Sequence, residues 1–190
     1  MLQLEKYRVL FFVFVAGLVF FAIADMTVPR EEAETAPLYP YADIIEQWSS
    51  EHGVDPHLVA AVIKNESAFD PQRRSSEGAI GLMQVLPSTA MLVVDEMGLG
   101  DFSEGDLFTP SFNIQVGSHY LAGLLSDFAG DEVAALAAYN AGPGRVAEWQ
   151  EGTQWLENTG IDRIPLMETQ SYVLLVLQDR DRFAAAEPGS

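Results

Sequence analysis

Apolar residues recur every three or four positions along most of the chain from Tyr41 onward, which is the spacing of amphipathic α-helices. Proline in the first turn and glycine at the end mark several of these segments as helices. The predicted helices are "YADIIEQWSSEHG" (41–53), Asp55–Glu66, "PSTAMLVVDEMG" (87–98), a long one after Pro110, "DEVAALAAYNAG" (131–142) and "PLMETQSYVLLVLQDRDRF" (165–183). No segment alternates apolar and polar residues as a strand would, although the pattern leaves room for a small hairpin. The sequence predicts an all-α domain.

The N-terminal segment is apolar without periodicity. Lys6 and Arg8 precede an unbroken apolar run from residue 9 to residue 24, and the run ends in the small-x-small site Ala22-Ile23-Ala24. As a helix this run would span roughly 24 Å, short of the ~30 Å hydrocarbon core of a bilayer. Residues 1–24 are therefore predicted to be a secretory signal peptide, with an uncleaved membrane anchor as the alternative. Either interpretation exports the protein to the periplasm or cell envelope.

The remaining chain divides into a linker, one domain and a tail. Residues 25–40 are acidic and contain prolines, as linkers do, residues 41–183 carry the helical pattern, and residues 184–190 form a short tail. The domain is long enough to bury a core, and 48% hydrophobic residues argue against disorder.

Composition excludes several classes of function. The chain has no cysteine, so disulfides, cysteine-based zinc sites, thiol catalysis and a lipidated cysteine are all ruled out. Beyond residue 24 the chain holds 27 acidic and 8 basic residues, with Lys64 as its only lysine. Such a surface repels nucleic acid and anionic lipid headgroups. Contact with a membrane is therefore expected only through the N-terminal segment, if that segment is retained.

Glu66 interrupts the apolar face of the second predicted helix. Val59, Val62 and Ile63 define that face, and Glu66 takes its next position, three residues after Ile63. One interpretation is a glutamate of the last turn that reaches water, because glutamate is almost never fully buried. The other is a carboxyl held against apolar walls, with a raised pKa that lets it act as an acid. The helical pattern alone leaves both open.

Other catalytic motifs are missing from the sequence. His52, His57 and His119 are scattered, with no metal-binding HExxH pattern, and no serine lies in a G-x-S-x-G elbow. Two segments instead place polar groups among small or apolar residues: "GAIGLMQ" (78–84), which ends in Gln84, and "AAYNAG" (137–142), which holds Tyr139 and Asn140. Taken singly, Tyr139 and Asn140 could simply cap their helix.

Six segments and one serine, taken together, resemble one family. "ESAFDP" (66–71) with Ser75, "GAIGLMQ" (78–84), "DLFTP" (106–110), "NIQVG" (113–117), "AAYNAGPGRV" (137–146) and "ETQSYV" (168–173) are similar, in order and spacing, to the catalytic domain of soluble-type lytic transglycosylases. That family cleaves bacterial peptidoglycan and has a goose-type lysozyme-like fold. The resemblance covers about residues 41–180.

The resemblance implies a role for each matched side chain. Glu66 falls on the catalytic acid/base, and Tyr139 on a tyrosine whose hydroxyl bonds that carboxyl. The other matched positions line the substrate groove (Ser75, Met83, Gln84 and Asn140) or support the site from the final helix (Glu168 and Tyr172). Two residues depart from the family pattern, with Gln170 in place of arginine and Leu166 in place of phenylalanine.

The resemblance also implies a mechanism without metal or organic cofactor. Glu66 protonates the leaving glycosidic oxygen, and the C6 hydroxyl of N-acetylmuramic acid attacks C1, which leaves a 1,6-anhydro end. Hydrolysis by the same acid is the nearest alternative, and sequence does not separate the two. A non-catalytic wall-binding module and a membrane-anchored scaffold are alternatives of another class, and the presence of Glu66, Gln84 and Tyr139 argues against the former. The expected binding partner is the peptidoglycan glycan strand.

Overall fold

The computed structural model describes residues 37–187, and within that range the secondary structure is helical. The eight α-helices are α1 (Ala42–His52), α2 (Pro56–Ser67), α3 (Pro87–Met97), α4 (Pro110–Asp127), α5 (Glu132–Ala141), α6 (Pro143–Gln150), α7 (Thr153–Glu157) and α8 (Met167–Ala186). Two 3₁₀ helices cover Glu104–Phe108 and Gly160–Arg163. The prediction of an all-α domain is confirmed. The predicted signal or anchor segment lies outside the described residues, as do residues 25–36 and 188–190.

Helix α2 occupies the centre of the domain. Its six consecutive residues from Leu58 to Ile63 are at most 1% exposed, so the helix is apolar around nearly its whole circumference. It packs against α1 and α8, and α4 packs against α1, α3 and α5. The alanine-rich α5 is buried from Ala134 to Ala138, since small side chains let neighbouring backbones approach closely. The core therefore surrounds the helix that carries Glu66.

A helix begins directly after the segment "DEVAALAAYNAG" (131–142), which was predicted as a helix. Gly142 has φ 92°, ends α5 and is followed at once by Pro143 in the first turn of α6. A sequence of eight residues is too short for a helical pattern to stand out, and α6 and α7 were not predicted.

The loop between α2 and α3 has isolated antiparallel bridges in place of the small hairpin for which the sequence left room. Antiparallel bridges join Arg74 to Ile80 and Ile80 to Val85. The buried side chain of Asn113, on α4, fastens this loop: its Oδ1 accepts from Met83 N at 2.7 Å, and its Nδ2 donates to the carbonyls of Ile80 (2.9 Å) and Leu107 (2.8 Å). Gly81 fits against Asn113 only because it lacks a Cβ, which would lie 2.3 Å from Asn113 Nδ2.

Between residues 37 and 187 none of the helices combines the length and the apolar character that crossing a bilayer requires.

Candidate active site

Glu66 lies in the last turn of α2, and both ends of that helix are fixed. At the start, Asp55 accepts a hydrogen bond from the backbone N–H of His57 at 2.9 Å, and Pro56 occupies the first turn. At the end, the hydroxyl of Ser67 donates to the carbonyl of Leu82 at 2.7 Å. The chain then leaves the helix through two residues in the left-handed region, Ala68 (φ 53°) and Phe69 (φ 64°). This exit turns the chain toward the loop that faces Glu66.

Glu66 faces a cavity of about 480 Å³, a size within the range of small-ligand sites. Six of the eight predicted site residues line it: Glu66, Ser75, Gln84, Tyr139, Asn140 and Glu168. They come from α2, the loop after it, α5 and the start of α8. Predicted site residues up to 102 positions apart in the sequence thus line one cavity.

The carboxyl of Glu66 has a strongly raised pKa. Burial raises it from 4.5 to about 7, while the Tyr172 hydroxyl and the positive charge of Arg73 act in the opposite direction. Burial therefore dominates. Of the two interpretations of Glu66, the structure favours the partly buried carboxyl with a raised pKa over a side chain that simply reaches water.

The hydroxyl group beside Glu66 belongs to Tyr172 and not to Tyr139. Tyr172 O–H is buried and acts on the pKa of Glu66 as a hydrogen-bond donor, although the contact falls short of regular hydrogen-bond geometry and no other described group accepts from it. The hydroxyl of Tyr139 instead donates to the carbonyl of Met83 at 2.8 Å. The prediction that Tyr139 bonds the Glu66 carboxyl is therefore wrong. The Tyr139 hydroxyl holds the loop at Met83, because a backbone carbonyl that is removed from water needs a donor.

Met83 is not part of the cavity wall. Its side chain is fully buried against α4, with its sulfur 3.9 Å from the hydroxyl of Ser118. The prediction that Met83 binds substrate is wrong, because the loop turns at this point and sends successive side chains to opposite sides. Gln84 has φ 48° and lines the cavity. Its amide nitrogen donates to the carbonyls of Arg73 (3.1 Å) and Gly81 (2.9 Å), which leaves its amide oxygen for a ligand.

The remaining predicted residues are held by local hydrogen bonds. The hydroxyl of Ser75 accepts from the backbone N–H groups of Glu77 and Ala79, both at 3.2 Å. Asn140 Oδ1 accepts from the hydroxyl of Thr169 at 2.8 Å, which ties α5 to α8. Glu168 lies on the cavity wall and is exposed. Gln170, one of the two departures from the family pattern, donates to the carbonyl of Ile164 at 2.7 Å and so keeps a contact at the start of α8.

Several lining residues were not predicted as site residues. They are Glu77, Ala79, Leu86, Ala141, Arg145, Leu166 and Thr169. Leu166 was noted only as a departure from the family pattern. Arg145 could have been noticed, because it follows "AAYNAGPG" directly and cations are rare in this chain. Burial raises the pKa of Glu66, whereas hydrogen bonds from Ser76 and from its own backbone lower the pKa of Glu77.

Over the described stretch, no three His, Asp or Glu side chains converge in a way that could hold a metal ion.

A domain of packed helices with one partly buried glutamate facing a ligand-sized cavity is the arrangement of lysozyme-like glycan-cleaving folds, and comparisons with known proteins agree. Residues 43–161 match the family model described as the transglycosylase SLT domain. The soluble lytic murein transglycosylase of Escherichia coli strain K12 is 34% identical over 140 residues, which are 72% of this chain and 22% of that protein. The membrane-bound lytic murein transglycosylase C of Edwardsiella ictaluri is 34% identical over 67% of this chain and 38% of its own.

Solved structures give the same result. The 70 kDa soluble lytic transglycosylase of Escherichia coli superposes with a TM-score of 0.72 at 32% identity, covering 78% of this chain and 24% of that one. An inactive glutamate-to-glutamine mutant of the lytic transglycosylase Slt from Pseudomonas aeruginosa gives a TM-score of 0.69 at 34% identity, covering 77% of this chain and 24% of that one. The chain belongs to the SLT family of lytic transglycosylases, which confirms the predicted family and fold. It spans about a quarter of the length of the soluble relatives it matches.

Proposed function

We propose that this protein is a peptidoglycan lytic transglycosylase that cleaves the β-1,4 bond between N-acetylmuramic acid and N-acetylglucosamine. The observation that carries the proposal is the Glu66 carboxyl, which faces the cavity with a pKa of about 7. Such a group is protonated often enough at neutral pH to act as an acid, and is basic enough once ionised to take a proton back. The relatives named above, all lytic transglycosylases, support the same activity.

The proposed reaction uses Glu66 twice. Its carboxyl first protonates the glycosidic oxygen as the bond from that oxygen to C1 breaks. The C6 hydroxyl of the same muramic acid residue then attacks C1, and its proton passes to the Glu66 carboxylate. The product is a 1,6-anhydro ring, no water is consumed, and Glu66 ends protonated as it began. Gln84, Ser75 and Asn140 would hold the sugars, and Tyr172 would orient the Glu66 carboxyl.

Hydrolysis is the second candidate, and Glu77 favours it. Glycosidases that use water as the nucleophile employ a second carboxylate. Glu77 lines the same cavity, and its lowered pKa keeps it ionised, as a general base must be. Glu77 is less suited to act as this base than a free carboxylate, because Ser76 Oγ already donates a hydrogen bond to it at 2.7 Å.

A single digestion separates the two reactions. Peptidoglycan is incubated with the purified protein in H₂¹⁸O, and the released muropeptides are weighed by mass spectrometry. Transglycosylation gives products lighter by one water and free of ¹⁸O at the reducing end, whereas hydrolysis gives reducing ends that carry ¹⁸O. Absence of any released muropeptide, while the folded protein still binds peptidoglycan, would support the non-catalytic wall-binding module.

We further propose that residues 1–24 export the chain to the cell envelope, where its substrate lies. Support comes from the apolar run behind Lys6 and Arg8 and from relatives named as membrane-bound. Sequencing the N-terminus of the protein recovered from the envelope distinguishes a cleaved signal peptide, with a new terminus near Asp25, from an uncleaved anchor.

A further inference from the structure

Most Lys and Arg side chains in the described part of the chain are paired with a carboxylate. Residues 37–187 contain seven Lys and Arg side chains. Five of them form ion pairs with Asp or Glu: Lys64, Arg74, Arg163, Arg180 and Arg182. Among the described residues, Arg73 and Arg145 have no such partner within 4 Å. In a chain with so many carboxylates, an unpaired arginine needs an explanation.

For Arg73 the explanation is its effect on Glu66, because its positive charge lowers the pKa of that carboxyl. Arg145 has no comparable role. It makes no hydrogen bond or ion pair with any described residue, although Glu148 follows it on α6 at the i+3 spacing that commonly allows a pair. It lines the same cavity as Glu66, where the charged side chains around it are carboxylates, namely Glu66, Glu77 and Glu168. The guanidinium is therefore available to a ligand.

The chemistry of the expected substrate identifies the ligand group. The N-acetylated sugars of a glycan strand carry no charge, and the lactyl carboxyl of muramic acid is tied up in an amide bond to the peptide stem. The negative charges of the polymer are the free carboxylates of that stem. A planar guanidinium with its fork of donors is the side chain best suited to bind a carboxylate.

We propose that Arg145 binds a free carboxylate of the peptide stem and thereby makes this site prefer peptide-bearing strands over bare glycan. The inference rests on the proposed function, since it needs a peptidoglycan strand in the cavity. Without Arg145 the cavity would present only carboxylates to the stem, and like charges would repel it. Arg145 is thus a specificity residue for the substituent, while Glu66 acts on the glycosidic bond.

The test compares three substrates and three variants of the full chain. The substrates are peptide-bearing strands, the same strands with their carboxylates amidated, and strands that are stripped of peptide by an amidase and whose freed lactyl carboxyls are then converted to amides. The variants are Arg145→Gln, Arg145→Lys and, as a control, Arg182→Gln, which removes an exposed arginine that does not line the cavity. Initial rates give kcat and KM for each combination.

Arg145→Gln is expected to lower kcat/KM on peptide-bearing strands by about three- to tenfold, mainly through KM, as loss of a partly exposed charged contact does. On amidated and on bare strands its effect should stay below about twofold. Arg145→Lys should retain part of the preference, and Arg182→Gln all of it. An equal loss on all three substrates, or no loss on any, would overturn the assignment while leaving the proposed function intact. A wild-type protein that cleaves none of the three would overturn the proposed function and this inference with it.

Discussion

The burial of Glu66 affects both the pKa of its carboxyl and the stability of the folded protein. Burial raises its pKa from 4.5 to about 7, while Tyr172 and Arg73 keep the pKa from rising further. Between those two pH values the folded protein holds a proton that the unfolded chain has already released. Stability therefore falls as the pH rises through this window. A shift of this size corresponds to roughly 3 kcal/mol when the carboxyl is fully ionised. The same burial that suits Glu66 to its proposed role as an acid thus destabilises the fold at alkaline pH.

Glu66→Gln should separate these two effects. The amide keeps the shape of the side chain but cannot donate a proton to the leaving oxygen, so muropeptide release should be abolished. Because the amide does not ionise, the variant should also be more stable than wild type at pH 8, by about 1–3 kcal/mol, and nearly equal to it at pH 4. Urea unfolding at both pH values measures this. Substantial lytic activity in the folded variant, or equal stability of the two proteins at pH 8, would contradict the prediction.

Tyr172→Phe tests whether the hydroxyl beside Glu66 orients it. The wild-type rate should fall above pH ~7 as Glu66 loses its proton. Removing the Tyr172 hydroxyl removes an influence that lowers the pKa of Glu66, so this fall should move to higher pH. We also expect kcat to drop about tenfold, or ~1.4 kcal/mol, with little change in KM. The readout is the pH profile of kcat, which a purely structural role of Tyr172 would not shift.

Tyr139→Phe is the matched control, with the opposite pattern expected. Its hydroxyl donates to the carbonyl of Met83, and removing it leaves that carbonyl without its partner. The loss should be about 1–2 kcal/mol of stability, or several degrees in Tm. The alkaline limb of the pH profile should stay where it is in wild type. A shifted limb in Tyr139→Phe and not in Tyr172→Phe would reverse the two assignments.

The loop that faces Glu66 takes its shape from α4. Met83 is the link: its N–H donates to Asn113, its carbonyl accepts from Tyr139, and its side chain packs on Gly117. A Cβ at Gly117 would lie 2.5 Å from the Met83 sulfur and 2.8 Å from its Cβ. The glycine is therefore required by the close approach of the loop, and it positions Gln84 indirectly.

Gly117→Ala should destabilise the protein although alanine favours helices. Overpacking of this kind typically costs about 1–3 kcal/mol, against a gain of up to ~1 kcal/mol in helix propensity. Gly123, on the same helix, provides the control, because nothing lies within 4 Å of the Cβ that alanine would add there. Gly123→Ala should raise Tm, while Gly117→Ala lowers both Tm and activity. Equal melting temperatures for the two variants would show that the Met83 side chain can move away from the added methyl group without loss of stability.

The helices could be predicted and the loop could not, for a physical reason. The apolar spacing that predicts α2, α4 and α8 reflects contacts within one helix and with the adjacent core. The path of residues 78–84 depends instead on hydrogen bonds to Asn113 and Tyr139, which lie 30 and 56 positions from Met83 in the sequence. The family resemblance identified most residues of the cavity but not which way each side chain points. For this reason Met83 was predicted to bind substrate and Tyr139 to bond Glu66, whereas Met83 is buried and the Tyr139 hydroxyl donates to Met83.

The protein as a whole carries far more negative than positive charge. The protein has 28 acidic and 10 basic residues, a net charge of −18, and most described cations are already neutralised by ion pairs. The uncompensated charge is therefore carried by exposed carboxylates. Peptidoglycan, the proposed substrate, is also anionic through its peptide stems, so long-range repulsion should slow its encounter with the protein. Repulsion among the protein's own carboxylates should also destabilise the compact state. Arg145 opposes this repulsion only at contact distance.

Added salt should therefore raise both activity and thermal stability at low ionic strength. The Debye length falls from ~30 Å at 0.01 M to ~10 Å at 0.1 M, which removes repulsion between distant charges but weakens close pairs much less. Muropeptide release and Tm, measured against sodium chloride between these two concentrations, should rise together. Repeating the series with an uncharged osmolyte separates screening from general effects of a cosolute on stability. A flat or falling activity curve would mean that the local attraction at Arg145 outweighs the net charge. In that case Arg145→Gln should restore the rise, because it removes the attraction and leaves the surrounding carboxylates in place.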